Sequence, residues 1–214
     1  MAANFELYVI TDESLSKGLS HVEIAHRAIM GGADAIQLRD KTMSGKDLLR
    51  AAKELRTVTK NAGVTFIVND RLDVALLSGA DGVHLGQDDL PARYARSIAP
   101  KGFILGVSAR NLEEAVLAEQ DGADYIGLGP ICDTSSKEDA GNGCGFGLIA
   151  EVKSRVSIPV IAIGGLGCGN AEKAIKAGAD GLAVISAVVS QDDVARAASR
   201  LKFMIVKAKE SKRL

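Results

Sequence analysis

The 214-residue chain has no tryptophan, 5 phenylalanines and 3 tyrosines, and its 26 basic and 27 acidic side chains leave a formal net charge of −1. So few aromatics offer little surface for stacking bases, and the charge balance offers no pull on a phosphate backbone, so nucleic acid is not an expected partner. Three cysteines, Cys132, Cys144 and Cys168, form no C-x-x-C pair, which argues against a disulfide framework and against a zinc site. No run approaches the roughly 20 apolar residues that span a bilayer, and the first ten residues lack the basic-then-apolar pattern of a secretion signal. The expectation is a soluble cytoplasmic protein without membrane contacts, and the length suits one domain.

Glycine, by contrast, is abundant at 23 residues, and part of it is periodic. Gly-Ala-Asp followed by an apolar run occurs at Gly32-Ala33-Asp34, Gly79-Ala80-Asp81, Gly122-Ala123-Asp124 and Gly178-Ala179-Asp180, with Asp-to-Asp intervals of 47, 43 and 56 residues. Each glycine closes a helical pattern and each apolar run has strand length, so these are helix-to-strand junctions. The strands they lead into are 35–38, 82–85, 125–128 and 181–185. Between them lie four more strand candidates, 5–10, 64–68, 103–107 and 159–163. Helical spacing fills the gaps, as in Leu48, Ala52, Leu55 and Val58 after a capping box at Ser44 to Asp47, and Val194, Ala198, Leu201 and Ile205 after one at Ser190 to Asp193.

The strands are continuous Val, Ile and Leu runs, as expected of a parallel sheet covered on both faces. At about 27 residues per βα unit, eight units use the whole chain, which predicts a single-domain (β/α)₈ TIM barrel over residues 1–214. A doubly wound open sheet is the alternative that the pattern allows. A flap is expected over about 130–147 and a basic C-terminal tail over about 207–214.

Active sites of such barrels sit at the C-terminal ends of the strands. There the sequence places Gln37, Arg39 and Lys41 after the second strand, Asn69 and Asp70 after the third, and Asp89 after the fourth. Ser108 follows the fifth strand, Thr134, Ser136 and Lys137 the sixth, Gly164 and Gly165 the seventh, and Ser186 the eighth. Asp70 and Asp89 suit Mg²⁺, which takes a few carboxylates together with water and substrate phosphates, or else they cap the helices that follow. Arg39, Lys41 and Lys137 suit a pyrophosphate, or else the first two pair with Asp40 or Asp47 on the surface. Gly165 and the Ile185-Ser186 turn match the phosphate site of these barrels, or else Gly165 is a plain turn glycine, the lesser of the two readings. Convergence on one mouth favours the functional reading of each. His84 reads as a core histidine or as a catalytic one, and the flap as a lid or as an insertion.

Eight segments spread in order over the chain resemble the thiamine-phosphate synthase family. They are 7–12 (LYVITD), 37–41 (QLRDK), 69–71 (NDR), 82–89 (GVHLGQDD), 106–108 (GVS), 124–130 (DYIGLGP), 162–165 (AIGG) and 183–186 (AVIS). The resemblance implies a Mg²⁺-dependent transferase that joins hydroxymethylpyrimidine pyrophosphate to hydroxyethylthiazole phosphate, giving thiamine monophosphate and pyrophosphate. It implies departure of pyrophosphate before the thiazole nitrogen captures the pyrimidine methylene cation. By that likeness Asp70 and Asp89 bind Mg²⁺, while Gln37, Arg39, Lys41 and Asn69 hold the pyrophosphate. Ser108 and Lys137 contact the pyrimidine substrate, and Thr134, Ser136, Gly165, Ile185 and Ser186 hold the thiazole phosphate. Arg39, Lys41, Ser108 and Lys137 carry the catalysis.

The family's flap usually reads Thr-x-Thr-Lys, whereas this chain has Thr134-Ser135-Ser136-Lys137, which keeps the hydroxyl and loses a methyl. The related thiazole tautomerase uses a histidine where this chain has Arg110, which sets that reading aside. A non-catalytic barrel binding a phosphorylated ligand is the rival of another class. Assembly into a homo-oligomer is left open.

Overall fold

The computed structural model describes residues 5–134, 136 and 143–213. Eight parallel strands close into a barrel in chain order. The first half runs β1 (Leu7–Thr11), α1 (His21–Met30), β2 (Ala35–Leu38), α2 (Gly45–Ala62), β3 (Thr65–Asn69), α3 (Leu72–Ser78), β4 (Gly82–Leu85) and α4 (Ala92–Ile98). The second half runs β5 (Ile104–Ala109), α5 (Leu112–Gln120), β6 (Tyr125–Leu128), α6 (Gly147–Lys153), β7 (Val160–Ile163), α7 (Ala171–Lys176), β8 (Gly181–Val184), α8 (Ser186–Val189) and α9 (Val194–Arg213). The ring is closed by β1 against β8, with Leu7 opposite Leu182 and Val9 opposite Val184. Among the described residues, no helix is long and apolar enough to cross a membrane.

The Gly-Ala-Asp repeat has a structural meaning beyond its glycines, all four of which have positive φ. The carboxylate of each repeat aspartate accepts an N–H at the start of the preceding strand: Asp34 from Leu7 (2.8 Å), Asp81 from Phe66 (2.8 Å), Asp124 from Leu105 (2.7 Å) and Asp180 from Val160 (2.7 Å). Each also holds a helix cation: Arg56 of α2, Arg96 of α4 and Lys153 of α6 come from the helix that leads into that strand, and Lys202 comes from α9, the last helix, which packs beside β1. The strand starts thus leave few backbone donors unpaired at the barrel floor.

The interior carries most of the scarce aromatic surface. Phe5, Tyr8 and Tyr125 pack ring against ring at centroid distances of 5.4, 5.5 and 6.0 Å. Buried Ile24, Ala25 and Ala28 of α1 and Val194, Ala198, Leu201 and Ile205 of α9 face the sheet. Ser44 caps α2 as expected. The box expected at Ser190 is displaced, because α8 intervenes and Asp193 instead accepts the Arg196 N–H (2.9 Å). The basic stretch expected as a tail over 207–214 is helical as far as Arg213: Ala208 is buried and Lys209 pairs with Glu6 (3.2 Å), so apolar and ionic contacts to the barrel floor hold it as the end of α9.

Candidate active site

The loops after the strands enclose an open cavity of about 870 Å³ at the barrel mouth. Arg39, Lys41, Asn69, Asp70 and Asp89 line it from the ends of β2 to β4, and Ser108 from β5. Thr134, Ser136, Gly165, Ile185 and Ser186 line it from the ends of β6 to β8. The charged side chains and the hydroxyl and glycine groups therefore occupy opposite walls, as the strand order dictates. Lys137 lies outside the described residues, as does the middle of the expected flap (135 and 137–142). The described ends of that segment are tied down: Ile131 and Cys132 donate to the carbonyls of Ile163 and Gly164, and Cys144 and Gly145 to those of Pro130 and Ile131.

On the charged wall, neither Asp70 nor Asp89 caps a helix. α3 is preceded by Arg71 and α4 by Pro91, both without a side-chain cap. Asp70 instead takes a left-handed backbone (φ 61°), unusual for any residue but glycine, which turns the chain sharply after β3. Its carboxylate accepts from Lys41 Nζ at 2.5 Å. Asp89 accepts the Gly86 N–H (2.7 Å). Burial pushes the Asp89 carboxyl above its ordinary value, and Asp70, within hydrogen-bonding reach, pushes it the same way. Arg39 pairs with Asp12 (2.8 Å) rather than with Asp40 or Asp47. Asp40 holds the loop after β2 by accepting from Thr42 and Met43 N–H groups (both 2.7 Å) and contacts buried His21 (3.3 Å).

Gln37, expected beside the pyrophosphate, is buried and does not line the cavity. The inward register of β2 buries it below the mouth, where its amide donates to the Tyr8 hydroxyl (2.6 Å). From there a polar chain crosses the interior, from Tyr8 to the Tyr125 hydroxyl (3.1 Å), on to His84 Nδ1 (2.9 Å), and from His84 Nε2 to Ser108 Oγ (2.9 Å). Glycines make room for it. A Cβ at Gly106 would lie 2.1 Å from the Tyr125 ring, and one at Gly127 would lie 2.8 Å from the His84 ring. His84 is therefore neither a plain core residue nor an isolated one, since it links the interior to a mouth serine. Tyr8 and Tyr125 were missed in the sequence; the available signal was a hydroxyl inside an otherwise apolar strand.

On the opposite wall Ser136 Oγ and Ser186 Oγ lie 2.8 Å apart. Gly165 has φ 62°, and a Cβ there would meet the Asp133 carbonyl at 2.6 Å, so backbone and space both require glycine before any ligand is considered. Asn170 steadies this loop by donating to the Gly165 carbonyl (2.9 Å) and accepting from the Gly167 N–H (2.8 Å).

The sequence profile of the family described as thiamine monophosphate synthase matches residues 7–188. The chain belongs to this family. It is 63% identical over 201 residues to the thiamine-phosphate synthase of Methanocella arvoryzae, covering 94% of this chain and 95% of the relative. It is 52% identical to that of Methanoculleus marisnigri, covering 96% and 97%. Among solved structures, a thiamine phosphate pyrophosphorylase from Pyrococcus furiosus superposes with a TM-score of 0.88 at 42% identity, covering 95% of this chain and 96% of that one. Within the family, Arg110 bears on the tautomerase alternative: it lines the cavity, and a guanidinium stays protonated at neutral pH, so it does not supply the base that a histidine would.

Proposed function

We propose that the chain is a transferase that couples hydroxymethylpyrimidine pyrophosphate to hydroxyethylthiazole phosphate, releasing pyrophosphate and thiamine monophosphate. One observation carries the reading: a single cavity has Arg39, Lys41, Asp70 and Asp89 on one wall and Ser136, Ser186 and Gly165 on the other, so two anionic groups can be held apart with their reacting centres between them. Small-molecule substrates and a cytoplasmic location go with it.

The donor set fits Mg²⁺. Two hard carboxylates close enough to raise the proton affinity of Asp89 are a repulsive pair that a cation relieves, and Mg²⁺ completes its shell from water and phosphate oxygens. Among the described residues no third His, Cys, Asp or Glu joins them. Asp70 and Asp89 would hold the ion, which when bound supplies positive charge to the leaving pyrophosphate.

The protein's own groups do the rest. Arg39 and Asn69 bind the pyrophosphate at the ends of β2 and β3, and Lys41 moves from Asp70 to the same anion. Ser108, oriented by His84 and by Gln87, whose amide donates to the Ser108 carbonyl (2.6 Å), meets the pyrimidine. Thr134, Ser136, Ser186 and the Gly165 and Ile185 backbone hold the thiazole phosphate, and the family resemblance assigns Lys137, which lies outside the described residues, to the pyrophosphate. As the C–O bond breaks, its electron pair leaves with pyrophosphate, and the thiazole nitrogen forms the new bond to the methylene carbon. This step needs charge neutralisation and alignment more than a nucleophile or base. The test is incubation of purified protein with both substrates and Mg²⁺. Equimolar pyrophosphate and thiamine monophosphate are expected, and binding of both substrates without product above a no-enzyme control would establish the non-catalytic barrel instead.

A further inference from the structure

We infer that Asp12, at the end of β1, is a positioning residue that keeps the Arg39 guanidinium aimed at the diphosphate group. The inference rests on the assignment of Arg39 to that group in the proposed function. Arg39 and Lys41, both at the end of β2, are held differently. Lys41 is 57% exposed and its ammonium rests on Asp70, a contact that a ligand can take over. Arg39 is only 12% exposed and its partner Asp12 only 10%, with Arg39 Nη1 donating to Asp12 Oδ2 at 2.8 Å.

Asp12 is itself fixed. Its other oxygen accepts the Ser14 hydroxyl (2.6 Å) and the Leu15 N–H (3.2 Å), so the carboxylate does not follow the arginine but anchors it. Arg39 lines the cavity, whereas Asp12 stands behind it, outside the lining. A guanidinium is planar, so fixing one nitrogen from behind fixes the direction of its other N–H groups, which have no further partner among the described residues. A long, flexible side chain is thereby ordered before the anion arrives, which lowers the cost of binding it. The opposing effect is charge: a carboxylate beside Arg39 weakens its pull on an anion. The two effects predict opposite results when the carboxylate is neutralised.

The test uses Asp12→Asn in the full-length enzyme, which keeps an acceptor for Ser14 and Leu15 while removing the negative charge beside Arg39. The KM for the pyrimidine diphosphate and the inhibition constant of inorganic pyrophosphate should both rise about tenfold, with the KM for thiazole phosphate unchanged. That unchanged constant reports an intact fold. Asp12→Ser, with the same expectation, replaces it if the asparagine variant is insoluble. In an Arg39→Gln background, Asp12→Asn should add no further loss, because the carboxylate acts only through the arginine. Tighter or unchanged pyrophosphate binding in Asp12→Asn, an equal rise in both substrate KM values, or additive losses in the double variant would each overturn the role of Asp12 while leaving that of Arg39 standing. Normal pyrophosphate inhibition of Arg39→Gln alone would overturn the assignment of Arg39, and the inference with it.

Discussion

At the floor of the barrel the carboxylates of Asp34, Asp81, Asp124 and Asp180 are each consumed by a strand N–H and a helix cation, whereas at the mouth Asp70 and Asp89 face each other. Both sets sit at strand ends, on the same kind of βα framework. A carboxylate whose lone pairs are spent on backbone donors and a fixed cation holds structure together. At the mouth, burial and the neighbouring Asp70 push the Asp89 carboxyl above its ordinary value, a repulsion that reduces stability and is useful only when a cation separates the two groups. Surroundings, not residue type, decide the role.

The largest effect that separates the two ends is expected at the mouth. Asp70→Asn should cut kcat by roughly 10²–10³-fold, the scale of losing one preorganised electrostatic group. Its unfolding free energy should stay within about 0.5 kcal/mol of the parent, because a repulsion is removed along with the Lys41 contact. Asp124→Ala at the floor should behave the other way round. Loss of the acceptor for Leu105 and of the Arg96 pair should cost about 2 kcal/mol in urea unfolding, with activity per folded molecule near the parent's. If the floor variant lost activity without losing stability, the division between the two ends would collapse.

A smaller effect belongs to the wall opposite Asp70. Ser186→Ala removes the partner of Ser136 and one donor to the thiazole phosphate, which should raise the thiazole KM about tenfold, or about 1.4 kcal/mol, while leaving kcat and the diphosphate KM alone. Initial rates with each substrate varied separately would check it. A fall in kcat would move Ser186 to the reacting centre.

The floor was more legible in the sequence than the mouth. Strands led by Gly-Ala-Asp are bounded by a positive-φ glycine that ends the preceding helix, and three of them, 35–38, 82–85 and 125–128, have the expected limits. The strands between lack that marker and are shifted by a residue or two, as with Leu7–Thr11 against 5–10. The location of Arg39, Asp70, Asp89 and Ser186 at one end was readable because parallel strands all point the same way. Their partners were not. That Arg39 meets Asp12, that Lys41 meets Asp70, and that Gln37 points inward to Tyr8 depend on barrel closure and stagger, which no single strand displays.

The smallest effect tests whether the floor is held by charge, through the cluster of Glu6, Asp34, Lys202 and Lys209. Lys202 bridges Asp34 (2.7 Å) and Glu6 (2.8 Å), and Lys209 adds a contact to Glu6 (3.2 Å). Burial raises the Glu6 carboxyl, but hydrogen bonds from Lys202 and Lys209 outweigh it, leaving Glu6 below its ordinary 4.5. Burial likewise lowers Lys202, but Asp34 and Glu6 outweigh it, leaving Lys202 above its ordinary 10.5. A depressed acid stabilises the fold above its unfolded value and loses that contribution as pH falls through its folded value. A raised base contributes fully below its unfolded value and loses the contribution as pH climbs through its folded value. The cluster should therefore be fully stabilising between about pH 4.5 and 10.5. Because the groups are partly exposed, Glu6→Gln should cost only about 0.5 kcal/mol, a melting shift of about 1–2 °C, constant across that window. Below pH 4.5 the parent's own Glu6 takes up its proton and the melting curves of parent and variant should converge. A difference that persisted at pH 3 would mean that Glu6 holds the floor by packing and not by charge.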